Sequence, residues 1–490
     1  MSSYCASTLK ISKSVLILLL LSCSVVVSVP RFRAVEASGI VYIRTDGSID
    51  PATAPIEKDG NVYTFKGNIS DEIVVQRDNI VVDGKGYTIR GTIDQRGITL
   101  EERSNVTITN TNIKSFGFCV SLHQSSYNTI CENNVTAASY TGIMLDTNSS
   151  GNSIYGNNVT NGKFGPGIEI VSSNNIVSGN TVADNFGGIV FTRESSNNSV
   201  TGNNIVDNRG YRFAGISLEG SSNNSVIANN IANNSYHGIL LEGSYDSVIG
   251  NNIVNNGFYG LWFWGSSNNS IIENNISNNQ FGIYLTFSSG NRFFHNNVIN
   301  NTSQIPTGQM YPSINVWDNG LEGNYWSNYT GEDLNHDGIG DNPYVIDSNN
   351  TDHCPLTGQF TDFSATPEYH VQTVSNSTVS DFRFNGTAIC FNVSGENGAA
   401  GFCRICIPTA LMNNTYKVLV NGSEVQYTFL PCSNSTHSYL YFNYAHSTKE
   451  VVIIPEVPSF LIMPLFMVAT LYGIALRKKR CLSGFENVIS

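Results

Sequence analysis

Through the middle of the chain, apolar and polar residues alternate in short runs, and the runs repeat. The unit reads G-I-x-L, then Ser or Asn, then N-S-I-x-x-N-N-I-x-x-N. Its G-I-x-L element starts at Gly142, Gly167, Gly188, Gly215, Gly238, Gly260 and Gly282, at spacings of 25, 21, 27, 23, 22 and 22 residues. Weaker copies start near Gly97 and Gly117. A period near 22 marks a solenoid. Each unit holds three short segments rich in Ile and Val, as at Ile143-Met-Leu145, Ile154 and Val159. Period-two alternation over so few residues predicts strands, not helices. A leucine-rich repeat would need a denser Leu pattern. Three strands per coil predict a parallel β-helix with inward stacks of Ile, Val and Leu, and its crossovers should be right-handed. About ten coils at ~4.8 Å each make a rod on the order of 50 Å long.

The polar positions fit the same geometry. Asn recurs at Asn134, Asn158, Asn180, Asn204, Asn230, Asn252, Asn275 and Asn297. Asn at equivalent corners tolerates the left-handed conformation and can stack into side-chain amide ladders. An aromatic residue precedes most G-I-x-L elements: Phe116, Tyr140, Phe164, Phe186, Phe213, Tyr236, Phe258 and Phe281. One per coil predicts a stack along one edge, as a packing ladder or as a sugar-binding strip.

Residues 363–454 lose the repeat and read as seven short strands. Asn421-Gly422 joins two of them as a hairpin. Seven strands in so short a span predict an immunoglobulin-like sandwich, serving as a stalk or spacer. Cys390, Cys403, Cys406 and Cys432 could pair there in any of three ways. Cys403 and Cys406 should face opposite sides of one strand, which argues against a simple metal pair.

The ends suggest export. Lys10 and Lys13 precede the apolar run Val15 to Val29, and small residues follow near Ala37. This reads as a secretory signal over residues 1–37, with an uncleaved anchor as the alternative. A second apolar run, Phe460 to Leu476, leads into Arg477-Lys-Lys-Arg480 and a basic tail over 477–490. Seventeen residues at 1.5 Å each give about 26 Å, just enough for a transmembrane helix, with the basic tail inside. About twenty N-x-S/T sequons, Asn68, Asn105, Asn134, Asn328, Asn376 and Asn434 among them, fit an exported glycoprotein.

Composition narrows the class further. Charged residues make up 13% and aromatics 11%, the opposite of a disordered chain. A net charge of -12 argues against nucleic acid as a partner. Ten Cys in 490 residues are too few for a disulfide-built fold.

Two stretches carry candidate chemistry. The first is Asp333-Leu-Asn335-His-Asp337-Gly338-Ile339-Gly340-Asp341, in an exit segment over residues 323–357. Oxygen ligands at Asp333, Asn335, Asp337 and Asp341, with the Ile339 carbonyl, match the front of a calcium loop. Position 12 is Tyr344, so the bidentate Glu is missing and affinity should be modest. An Asp/Asn/Gly turn without an ion is the alternative. The role would be structural, locking the rod's exit onto the next domain.

The second is the outer face of the G-I-x-L-x strands, whose third and fifth positions should face solvent. Glu219 and Glu242 then share one position on adjacent coils, ~4.8 Å apart by backbone. Trp262, Trp264 and Tyr284 continue that face. Extra residues Asn208-Arg-Gly-Tyr211-Arg212-Phe213 should overhang Glu219. Carboxylates about 5 Å apart suit a retaining glycosidase. Trp and Tyr rings suit sugar stacking, and Arg212 could hold a uronate. Glu on a strand face is also what a merely solvated face shows. Catalysis, non-catalytic glycan contact and no ligand therefore all stand as readings.

The repeats resemble the right-handed β-helix domains of the NosD type, also called the carbohydrate-binding and sugar-hydrolase repeat family. The resemblance spans roughly residues 40–357. Tyr42 to Pro51 and Ile80 to Tyr87 look like the entry segment of archaeal surface members. Gly323-Asn-Tyr-Trp-Ser327 through Asp341-Asn-Pro-Tyr344 looks like their exit segment. Ile454-Pro-Glu-Val-Pro458, with the apolar run and the basic cluster beyond it, resembles archaeal C-terminal sorting signals. Such scaffolds host enzymes, binders and structural rods alike. NosD-type proteins also assist copper-site maturation. Copper favours Cys, Met and His, but the nearest grouping here, Cys119, His123 and Cys131, is not predicted to converge. Copper is not expected.

The expected protein is all-β. A signal peptide (1–37) precedes an entry cap with the first coil (38–96) and the right-handed, three-strand-per-coil parallel β-helix (97–322). The exit segment (323–357), the immunoglobulin-like sandwich (363–454) and a C-terminal transmembrane helix (460–476) come after it. The protein is expected at the outer face of the membrane, structural or adhesive and in contact with glycans or envelope components. The alternative is a polysaccharide hydrolase or lyase acting in a groove on the β-helix, and the second alternative, from the resemblance, is a periplasmic-type copper-binding NosD-like accessory protein.

Overall fold

The computed structural model describes residues 39–192, 195–306, 313–412 and 415–456. The expected signal segment, the apolar run 460–476 and the basic tail lie outside them. Among the described residues no helix is long and apolar enough to cross a membrane.

The repeats wind into three sheets of 12, 12 and 11 strands, parallel throughout except for the entry pairs Val41–Ile43 with Ile49–Asp50 and Ile56–Asp59 with Val62–Phe65, which are antiparallel. One coil shows the pattern. Thr141–Leu145 lies in the first sheet, Ser153–Tyr155 in the second and Asn158–Thr160 in the third. Register passes from coil to coil without slippage, as in Ile143↔Ile168 and Val159↔Val182. The G-I-x-L isoleucines and leucines point inward: Ile143, Leu145, Ile168, Ile170, Ile216, Leu218, Ile239 and Leu241 are all fully buried. They belong to one continuous core from Val41 to Ile346. Every β-branched stack repeats at the strand spacing, so the interior packs as ladders of like on like.

The glycine of each G-I-x-L element answers a steric demand. A Cβ at Gly188 would lie 2.0 Å from the carbonyl oxygen of Gly215 on the next coil and 2.6 Å from Ile205 Cγ2. The coil corner leaves no room for a side chain there.

Asn ladders close the corners, and there are three. At the first corner Asn128, Asn152, Asn175, Asn198, Asn224, Asp246, Asn269, Asn291 and Asn315 follow one another, each taking the backbone N–H of its predecessor on Oδ1. At the second corner Asn133 to Asn324 do the same and end on Asp352. At the third, Asn185, Asn208, Asn234, Asn256, Asn279 and Asn301 do so. Buried turn amides are thus satisfied without water. Most of the asparagines singled out in the sequence sit one residue later. Asn134, Asn158, Asn230, Asn252 and Asn275 form an outer, solvent-side amide ladder. Only Asn180 belongs to the buried one. The predicted aromatic edge is contiguous over three coils, where Tyr236, Phe258 and Phe281 contact in series.

The rod ends against two large rings. Trp317 and Trp326 are buried at the last coil, with their N–H groups on Asn350 and Asp352. Beyond it, two five-stranded antiparallel sheets pack face to face over a shared core that includes Phe391, Cys403, Ile405, Val418, Phe442 and Ile453. The sandwich begins at Gln359–Ser364 and ends at Lys449–Pro455. Tyr416–Val420 and Ser423–Val425 form a hairpin across Asn421 and Gly422, both at positive φ. Arg404 of the sandwich reaches back to Glu322 of the rod exit.

Candidate functional site

The outer face of the first sheet gathers the candidate side chains. Strand Ile216–Leu218 pairs with Ile239–Leu241, which places Glu219 beside Glu242 at the matching strand ends. Ile239–Leu241 pairs with Tyr259–Trp264, and that strand with Phe281–Thr286, so Trp262 faces Tyr284 and Trp264 faces Thr286 in register. Two coils before Ser217, in the same outward column, stands Glu169. Its Oε2 accepts the Thr141 hydroxyl at 2.9 Å.

The sequence predicts a solvated face, and the structure shows a partly covered one. Val190, Ser217, Leu240 and Thr286 are buried. The extra residues before Gly215 pack against Phe186 of the preceding coil, and Ala214 N–H donates to Ser217 Oγ at 3.2 Å. Leu240 lies in register beside the large ring of Trp262. Glu242 and Trp264 stay open to solvent and Glu219 is half-buried.

The inserted loop is held by aromatic contacts. Tyr211, 79% exposed, sets its ring edge-on to Phe186 at 5.8 Å. The Arg212 guanidinium lies 5.6 Å from the Phe213 ring centre. Burial pushes the Glu219 carboxyl up from its ordinary value, the charges of Glu242 and Glu169 push it further, and Arg212 opposes them. Burial alone raises Glu242. Arg212 therefore acts on Glu219.

The aromatic side chains divide into two groups. His237, Tyr259 and Tyr284 stack along the rod axis, at 5.0 Å and 7° and then at 4.5 Å and 9°. Tyr284 thus spends one ring face on Tyr259. Trp264 stands perpendicular to Trp262 at 5.5 Å and is 48% exposed. Trp264 is the open platform. Sequence reading missed His237, which is buried and whose pKa burial lowers to about 3. Its Nδ1 accepts the Tyr259 N–H at 3.4 Å, so the proton of the neutral ring sits on Nε2. Nε2 has no partner, and neither does the buried Trp262 Nε1.

The loop Asp333 to Asp341 lies against the sandwich. Asp333 accepts the N–H groups of Asp337 and Gly338, Asp337 that of Ile339, and Asp341 that of Leu334. Asn335 Nδ2 reaches Asp337 Oδ2 at 3.3 Å. Among the described residues no three His, Cys, Asp or Glu side chains are grouped as a metal ligand set. For calcium, these carboxylates would have to exchange backbone N–H groups for the ion. Cys119 is buried in the rod core, His123 faces outward beside Asp146, and Cys131 lies on the second sheet.

Coil geometry and site together define the rod as a right-handed parallel β-helix with a carboxylate-and-indole face. Residues 58–213 match the family described as right handed beta helix region, and residues 209–331 match that described as periplasmic copper-binding protein (NosD). Between them the two matches run over residues 58–331, so the rod is similar to both families there, each match spanning less than half of the chain. Similar solved structures include the A-module of the Azotobacter vinelandii mannuronan C-5 epimerase AlgE4 (16% identity, TM-score 0.38, 51% of this chain and 88% of that one). Others are the Dettilon tailspike protein (13%, 0.36, 80% and 86%) and the Streptococcus pneumoniae surface adhesin PfbA (14%, 0.35, 50% and 82%). No curated protein matches the sequence.

Proposed function

We propose that the chain is an exported glycan-binding rod, structural or adhesive in role, that takes saccharide on the outer face of its first sheet. One observation carries this reading: the open Trp264 ring stands on the strand next to that of Glu242, with Glu219 one coil further on. An exposed aromatic face beside hydrogen-bonding carboxylates complements a sugar, which offers C–H faces and hydroxyls together. The sandwich, immunoglobulin-like in this reading, serves as a spacer, and the segment 460–476 as its membrane anchor. The Asp333–Asp341 loop is a calcium-strengthened joint between rod and sandwich. The test is a glycan array with the full chain, with and without calcium. Binding that falls on Trp264→Ala supports the reading, and no binding to any glycan sinks it.

A hydrolase is the second reading. The Glu219 carboxyl, raised by burial and by the charge of Glu242, favours it, since one of a catalytic carboxylate pair has its pKa raised in this way. Cleavage of a bound glycan that disappears in both Glu219→Gln and Glu242→Gln would place the protein among the enzymes. Copper handling draws support only from the NosD description.

A further inference from the structure

We propose that the first-sheet site selects uncharged or amino sugars and rejects uronates, because Glu219 and Glu242 flank it, Glu169 adds its charge from two coils away, and Arg212 is the single cation there among the described residues. The inference rests on the glycan-binding reading above and names its ligand class.

Charge is the first argument. Between Lys114 and Arg292 the chain has only four basic residues, Lys163, Arg193, Arg209 and Arg212. Arg193 lies outside the described residues. Lys163 and Arg209 line a separate cavity of about 490 Å3 at the neighbouring corner. There Arg209 is tied to Asp184, 2.7 Å from its carbonyl oxygen and 3.4 Å from its carboxylate. Arg212, the remaining cation, already offsets Glu219. A uronate placed on Trp264 would add a further negative charge to a surface whose one cation among the described residues already faces Glu219.

Hydrogen-bond direction is the second argument. An ionised carboxylate only accepts. A ligand group that faces Glu219 or Glu242 must donate, as a hydroxyl or an ammonium does and a uronate carboxylate does not. Two further donors, His237 Nε2–H and Trp262 Nε1–H on rings 4.7 Å apart, are buried without partners. His237 stays neutral and so adds no positive charge that would favour an anion.

The experiment is calorimetric titration of the full chain with three oligosaccharides of equal length: a neutral gluco-oligosaccharide, its amino-sugar counterpart and an oligogalacturonate. The uronate is expected to bind at least about tenfold more weakly than the neutral oligomer, the size of effect that one like-charge contact in a partly screened site produces. The triple variant Glu169→Gln, Glu219→Gln, Glu242→Gln is expected to shrink that ratio, and its thermal midpoint reports whether it folds. Uronate binding equal to or tighter than neutral binding in the native protein overturns the selectivity and leaves the glycan reading standing. No binding of any of the three overturns both.

Discussion

Arg404 of the sandwich donates its Nε–H to Glu322 Oε1 of the rod exit at 2.7 Å, with both residues buried. His295 Nε2 lies 2.8 Å from the other Glu322 oxygen, and the Arg404 Nη1 donates to the Asp337 carbonyl at 2.7 Å. The joint between the two folded parts is thus a buried ion pair whose remaining hydrogen-bond capacity is largely filled. Removing one partner leaves a charge in the interior. Arg404→Ala or Glu322→Ala is expected to cost roughly 3–5 kcal/mol, measured by denaturant unfolding. The pH dependence has a defined sign. Burial opposes the Glu322 charge, but His295 and Arg404 outweigh it and hold the folded pKa below the ordinary 4.5. The contribution is present above 4.5 and is lost as pH falls through the folded value. A joint that kept its full stability as the pH fell well below 4.5 would contradict this.

Asp246 interrupts the first Asn ladder. Its Oδ1 accepts from Asn224, while its Oδ2 is buried without a partner. An Asn there could donate onward, as Asn224 and Asn269 do. Burial raises the Asp246 pKa from 3.8 to about 7. The folded state therefore binds the proton more tightly, and stability from this site is greatest below 3.8 and lost as pH rises through 7. Asp246→Asn is expected to stabilise at pH 8 by roughly 1–3 kcal/mol, the cost of an unmatched buried polar group, and by less at pH 4. Equal midpoints for both proteins at pH 8 would remove the ladder argument.

Gly188→Ala tests the coil corner. The added methyl would meet the Gly215 carbonyl oxygen at 2.0 Å, so the strands must part. Overpacking of this kind costs roughly 1–3 kcal/mol. Gly202→Ala is the control: space is open there, and its φ of 64° leaves only backbone strain, so a loss of about 1 kcal/mol is expected. Thermal midpoints of the two variants should separate in that order.

Much of this was legible in the sequence, and the limits have physical causes. Inward positions follow from period two, so Ile143, Leu145 and Val159 were read correctly from alternation alone. The residue before Gly238 carries no such signal. His237 is buried because neighbouring rings stack over it, and ring packing across coils is invisible along one strand. Leu240 and Ser217 were expected outside for the same reason. Leu240 lies beside Trp262 of the next coil, and Ser217 Oγ is taken up by the Ala214 N–H, neither of which alternation along one strand reveals. The buried and outer Asn ladders differ by one residue, and N-N dipeptides supply both, so composition could not separate them. The Glu219 and Glu242 pairing was legible because register in a parallel coil depends only on counting from the G-I-x-L glycine.

Calcium is expected to raise the unfolding midpoint. Asp333 and Asp337 sit close enough for the Asp333 charge to add to the effect of burial in raising Asp337. A cation between them would relieve that repulsion. At an affinity suited to extracellular millimolar calcium, saturation adds about 2 kcal/mol. Scanning calorimetry in 10 mM calcium (roughly tenfold or more above such an affinity) and in chelator should show the shift, and Asp333→Asn with Asp337→Asn should abolish it. Identical midpoints in both buffers would leave the loop as a turn closed by its own N–H groups.

The two aromatic groups should behave differently in binding. Trp264 presents an open ring, so Trp264→Ala is expected to weaken glycan binding about tenfold or more, roughly 1.4 kcal/mol. Tyr284 stacks on Tyr259 at 4.5 Å, and its packing rather than its hydroxyl holds that row. Tyr284→Phe is therefore expected to leave affinity unchanged. Tyr284→Ala should lower the thermal midpoint through the loss of the stack, with a smaller effect on affinity than Trp264→Ala. Affinity and midpoint measured on the three variants separate ligand contact from packing. If Tyr284→Phe lost binding while Trp264→Ala kept it, the sugar would lie over the tyrosine row, and Trp264 would be an exposed ring without a ligand.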